Sequence, residues 1–130
     1  LLLALCELDL SKAQPPMLLT RSQMALARTM RERLEADVAA RHDVRDFARE
    51  FGVSASTLNN YFSTAYGQTV AAYLRTRRIE RAAIMLSEGY GVATASLSVG
   101  YENPSKFAAA FKRHKGAAPS EYRRNARLEG

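Results

Sequence analysis

The chain has 130 residues, a formal net charge of +6, 47% hydrophobic residues and one cysteine. That length suits one domain, or two small subdomains sharing a connector, and no apolar run approaches the roughly 20 residues of a membrane span. A lone Cys6 excludes an internal disulfide framework or a Cys-based metal site and suits a reducing cytoplasm. His42 and His114 stand far apart without cysteine companions, so neither a metal nor another cofactor is expected.

Strand patterns are nearly absent and Ala, Leu, Arg and Glu dominate, which predicts an all-α protein of about seven helices. Leu1–Leu10 is aliphatic but short, with no basic segment ahead of it, so a signal peptide is not expected. The absence of an initiating Met points to a piece of a longer protein. Residues 1–19, broken by Pro15-Pro16, read as a linker or the tail of a preceding sensor or dimerisation region.

The first predicted subdomain covers residues 20–67. Thr20 with Gln23 three residues on matches a capping box. The helix after it places Ala27, Met30, Leu34 and Val38 inward at spacings of three and four, with Arg28, Arg31, Glu32 and Glu35 outward. Asp43 opens a second helix with Val44, Phe47, Ala48 and Phe51 on its apolar face, and Gly52 ends it. Ser54 caps a third, in which Leu58, Tyr61 and Phe62 point inward before Gly67 closes it.

A linker helix is expected within residues 68–90, with Val70, Tyr73, Leu74, Ile79, Ala82, Met85 and Leu86 as its contacts. Residues 91–130 form the second subdomain. Its first helix runs over Val92 to Val99, its second starts at Asn103-Pro104 and ends at Gly116, and a short last helix follows Ala118-Pro119-Ser120.

The second subdomain echoes the first. Phe47-Ala48-x-x-x-Gly52-Val53 aligns with Ala95-Ser96-x-x-x-Gly100-Tyr101, and with one extra turn residue Leu58, Phe62 and Gly67 fall on Phe107, Phe111 and Gly116. Each copy is a short helix, a glycine turn and a capped second helix, the pattern of a helix-turn-helix. A connector of about 19 helical residues spans roughly 28 Å, close to the roughly 34 Å between successive major-groove faces. Residues 1–68 carry eight basic and eight acidic side chains, whereas residues 99–130 carry seven basic against three acidic. A basic excess growing toward the C-terminus favours a polyanionic partner, and together with the repeat it points to double-stranded DNA.

The spaced residues resemble the C-terminal DNA-binding domain of the AraC/XylS family of bacterial transcription regulators. The resemblance covers roughly residues 24–124. It is carried by Phe47-Ala48-x-x-Phe51-Gly52-Val53-Ser54, Leu58-x-x-Tyr61-Phe62-x-x-x-x-Gly67 and Tyr73-Leu74-Arg75-x-x-Arg78-Ile79-x-x-Ala82. It continues through Val99-Gly100-Tyr101 and Ser105-x-Phe107-x-x-x-Phe111-Lys112, ending at Gly116-x-x-Pro119-Ser120-x-Tyr122-Arg123. It implies a regulator of promoters that binds its effector and dimerises through an N-terminal region outside this chain; a cytoplasmic, nucleoid-associated location and contacts to RNA polymerase are further expectations. It implies no enzyme, and no paired carboxylates, Cys–His pair or phosphate loop suggests one.

Direct readout needs side chains that project from the first turns of each inserted helix. In the first copy these are Ser56, Thr57, Asn59, Asn60 and Ser63. Asn60 stands where the family often carries Arg, and an Asn pairs with adenine N6/N7 rather than with guanine. In the second copy they are Ser105, Lys106 and Ala109. The run Ala108-Ala109-Ala110 departs from the family, which usually offers polar or Arg side chains at the first two positions, and this suggests a copy that mainly clamps phosphates through Lys106, Lys112 and Arg113. Arg75 and Arg77 on the connector are further phosphate candidates, and Arg78 is expected to be a structural ion pair or cap. The competing reading is a helical protein–protein module that contacts RNA polymerase.

Overall fold

The computed structural model describes residues 18–129, which are all α. Seven helices follow one another: α1 Arg21–Ala36, α2 Val44–Phe51, α3 Ala55–Tyr66, α4 Val70–Ser87, α5 Val92–Ser98, α6 Pro104–Lys115 and α7 Pro119–Glu129. The expected tail through Leu1–Leu10, with Cys6 and Pro15-Pro16, lies outside the described residues. No helix among the described residues is long and apolar enough to cross a membrane, and none of their His, Cys, Asp or Glu side chains group in threes as metal ligands do.

The helix starts follow local chemistry. Thr20 and Gln23 form the reciprocal capping box: the Thr20 amide donates to Gln23 Oε1 at 3.0 Å and the Gln23 amide to Thr20 Oγ1 at 3.2 Å. Asp43 caps α2 through the Arg45 amide, Ser54 caps α3 through the Thr57 amide, and Asn103 caps α6 with Pro104 at its first position.

The duplication is visible in the backbone itself. The Val53 amide donates to the Ala48 carbonyl at 3.0 Å, and the Tyr101 amide donates to the Ser96 carbonyl at the same distance. Gly52 and Gly100 sit between those partners with φ of 73° and 97°, a region that costs an L side chain about 1–2 kcal/mol. Gly100 has a second reason to be glycine, because a Cβ there would lie 2.8 Å from the Ala39 carbonyl oxygen. Ser96 is buried, and its hydroxyl donates to the Tyr101 carbonyl across the turn at 3.4 Å.

The chain divides into two compact units. Among the described residues one holds 18–32 and 43–70, and the other 33–42 and 71–129. This differs from the division expected at residues 67 and 90. Residues 33–42 group with α4 because Arg78 donates to the carbonyls of Val38 and Ala40, at 2.6 and 2.9 Å, and Arg81 to that of Glu35 at 2.9 Å. In the first unit Ala27, Met30, Leu58 and Phe62 are fully buried. The core of the second gathers Ile79, Ala82, Leu86, Ala95, Val99, Phe107 and Phe111, where α5, α6 and α7 pack on one another. Aromatic edges tie it together, with Tyr101 on Phe107 at 5.4 Å and Phe111 on Tyr122 at 5.2 Å between ring centroids.

Two residues expected to point outward do not. Arg31 lays its guanidinium over the Tyr66 ring at 5.0 Å. Glu35 is half-buried, accepts a hydrogen bond from the Tyr73 hydroxyl and lies 3.9 Å from Arg77 Nε.

Candidate nucleic-acid interface

In the first copy, α3 is the helix whose exposed side can be read. Ser54 fixes its first turn, accepting from the Thr57 amide at 3.0 Å while donating to Thr57 Oγ1 at 2.8 Å. Thr57 is therefore half-buried and occupied at the helix start. Ser56 and Asn60 are exposed, and Ser63 is partly so. With spacings of four and three they share one face. Thr64, exposed and four residues beyond Asn60, extends the same stripe. Sequence reasoning passed over Thr64, although it aligns with Arg113 in the repeat.

Asn59 is placed differently from its neighbour. It is half-buried, and its Oδ1 accepts the Val70 amide at 3.0 Å at the start of α4. A residue next to Asn60 is rotated about 100° around the helix. The repeat aligns Asn59 with Ala108, which is also half-buried, and Asn60 with the exposed Ala109. Of the two asparagines, only Asn60 lies on the outward stripe.

In the second copy, Asn103 Oδ1 accepts the amides of Ser105 and Lys106, at 2.9 and 3.1 Å, and so sets the pitch of α6. Ser105, Lys106, Ala109, Lys112 and Arg113 are all exposed. The alanine run divides by depth: Ala110 is core, Ala108 half-buried and Ala109 outside. The outward face of α6 therefore offers one hydroxyl, one methyl and three cations. Gly91, the residue before α5, supplies no side-chain cap. Asp43, by contrast, caps α2 with its own carboxylate.

The connector arginines separate into three roles. Arg75 is exposed. Arg77 is half-buried in an ion-pair cluster, 2.6 Å from Glu80 and 3.9 Å from Glu35. Arg78 clamps the two carbonyls named above and lies 5.9 Å from the Tyr101 ring centre. Burial pulls the Arg78 guanidinium below its ordinary value, against the opposing influence of Tyr101 and Asp37. Burial likewise raises the Tyr101 phenol, while Arg78, Arg75 and Arg113 pull it down. Arg75 and Arg113 thus lie within electrostatic reach of one phenol, a pair of exposed cations on neighbouring elements.

Comparison with known proteins agrees with this fold. Residues 47–125 match the family model described as a helix-turn-helix domain. A Streptomyces lividans protein described as an AraC-like transcription regulator is 41% identical over 93 residues, which is 71% of this chain and 31% of that protein. The HTH-type transcriptional regulator RipA of Corynebacterium glutamicum is 30% identical over 108 residues, 83% of this chain and 31% of RipA. The chain thus spans about a third of the length of these relatives. Among solved structures, the DNA-binding domain of AdpA in complex with a target DNA aligns with a TM-score of 0.71 at 26% identity, over 80% of this chain and 94% of that one. The C-terminal domain of the response regulator AraT from Geobacillus stearothermophilus has the same fold, with a TM-score of 0.72 at 24% identity over 77% and 84% of the two chains.

Proposed function

The chain belongs to the AraC family of bacterial helix-turn-helix transcription regulators, as a DNA-binding domain and not an enzyme, and we propose that α3 and α6 enter successive major-groove faces of promoter DNA with unequal tasks. α3 reads bases through Ser56, Asn60 and Ser63, with Thr64 on the same stripe. α6 mainly holds phosphates, through Lys106, Lys112 and Arg113 joined by Arg75 from α4, and Ser105 and Ala109 make its few base contacts. Thr57 and Asn59 act from behind, holding α3 at the angle from which its neighbours read. The domain works in the cytoplasm on the nucleoid. Effector recognition and dimerisation belong, in this reading, to sequence outside the described residues.

The observation that carries the proposal is the equivalence of the two outward stripes. Ser56, Asn60, Ser63 and Thr64 align with Ser105, Ala109, Lys112 and Arg113, so the same framework presents amide and hydroxyl groups once and charges the other time. Asn offers the bidentate fork that fits adenine in the major groove, whereas Ala offers only a methyl for thymine. Selection of bound duplexes from a random pool tests this. The expected motif has one half-site of strong base preference and, about one helical turn away, one of weak preference. Two half-sites of equal information would contradict the division of tasks, and recovery of no motif would contradict sequence reading altogether.

A further inference from the structure

The two copies also differ at a position away from the reading stripes. In the first, Tyr66 stands just before the closing Gly67 and packs edge-on against Phe62, with ring centroids 4.9 Å apart. The equivalent position before Gly116 is Lys115. A lysine cannot take an aromatic's place without burying its ammonium, so it keeps its charged end in water. Beside it the second unit has an open groove of about 660 Å³. Ile84, Met85, Val99 and Tyr122 line it. Ile84 is 57% exposed, although Ala83 and Leu86 around it on α4 are buried.

The charges at the groove are not balanced. Arg77 and Glu80 neutralise each other at 2.6 Å. Arg81 spends one nitrogen on the Glu35 carbonyl, and neither Arg81 nor Lys115 has a carboxylate partner among the described residues. The groove therefore combines an apolar floor with two unpaired cations. DNA matches only half of that combination, because a phosphate backbone has nothing apolar to set against Ile84 and Met85.

We propose that this groove docks a partner protein segment carrying an aromatic or large aliphatic side chain flanked by carboxylates. The apolar side chain lies against Ile84 and Met85, and the carboxylates pair with Arg81 and Lys115. None of the residues that line the groove belongs to the two outward stripes of α3 and α6.

The test is selection of phage-displayed random 12-residue peptides on the protein, followed by fluorescence polarisation of the enriched peptide against three variants. Enriched peptides are expected to carry Phe, Tyr or Leu within a few residues of Asp or Glu. Lys115→Tyr closes the groove from within: peptide affinity falls at least tenfold, the melting temperature rises by several degrees, and affinity for selected DNA stays within a few-fold of wild type. Lys115→Gln and Arg81→Gln, which remove charge without filling the groove, weaken the peptide less. Far-ultraviolet circular dichroism establishes that each variant is folded. Undiminished binding to folded Lys115→Tyr overturns the proposal, as do enriched peptides without the acidic–apolar pairing or the enrichment of none. So does self-association of the protein that Lys115→Tyr abolishes, which would seat a second copy in the groove.

Discussion

Two adjacent asparagines on α3 should fail in different ways when cut back to alanine. Asn59 accepts the Val70 amide at the start of α4, so Asn59→Ala removes one hydrogen bond, worth about 0.5–1.5 kcal/mol net. For a domain of this size that is a drop of several degrees in melting temperature. Asn60 is exposed on the outward stripe of α3. Asn60→Ala leaves stability nearly unchanged but removes a bidentate base contact of about 1–3 kcal/mol, a roughly 5- to 150-fold loss of affinity for the selected duplex. The assay compares affinity for that duplex with affinity for one changed at the base pair assigned to Asn60. Asn60→Ala should flatten the ratio between the two duplexes. Asn59→Ala should lower both affinities together and preserve the ratio. Asn59→Asp keeps an acceptor, favoured by the N-terminal dipole of α4, and should restore stability. A ratio that collapses in Asn59→Ala and survives in Asn60→Ala would refute this assignment.

Further outcomes follow from the turns and the second copy. Gly100→Ala combines a positive φ with a Cβ 2.8 Å from the Ala39 carbonyl oxygen and should cost about 2–4 kcal/mol in chemical denaturation. Gly52→Ala, at φ 73° with nothing within 4 Å, should cost about 1–2 kcal/mol, and equal costs would show that the Ala39 approach is unimportant. Ala109→Arg should tighten binding to all duplexes with little change in motif, and a marked loss of selectivity in the random-pool experiment would show that the alanine face already reads sequence. The Tyr101 phenol is raised by burial above its ordinary value of 10.0, so the unfolded chain loses that proton first and the native state is disfavoured as pH climbs. Tyr101 therefore contributes stability that is intact below pH 10 and lost above it. Tyr101→Phe should make the fall in melting temperature above pH 10 shallower than in wild type, and identical slopes would remove Tyr101 from the account.

What could be read from the residues alone was what is local. Thr20 with Gln23, Ser54, and Asn103 before Pro104 name their helix starts because a cap acts within one turn. Helical spacing turns Phe62 inward, and it is fully buried, as is its repeat counterpart Phe111. Glu35 and Arg31 were placed outward because periodicity describes one helix at a time. Tyr73, the partner that draws Glu35 in, stands 38 residues away. Arg77 and Arg78 look alike in sequence, yet one faces Glu80 and the other the carbonyls of Val38 and Ala40. Asn59 and Asn60 are the same residue type one step apart, and composition cannot separate them. The repeat could have done so, since their counterparts Ala108 and Ala109 differ in burial as a helix of that register requires.

The central claim is that two copies of one motif hold DNA with the second chiefly gripping its phosphates. The dependence of affinity on salt for the selected duplex tests it most directly. With about 0.9 counterion released per neutralised phosphate, the four cations Arg75, Lys106, Lys112 and Arg113 give a slope of log K against log salt of about −3.6. The quadruple alanine variant should bring that slope close to zero while the residual motif remains that of α3. A wild-type slope near zero, or a variant that keeps the full slope, would contradict the account.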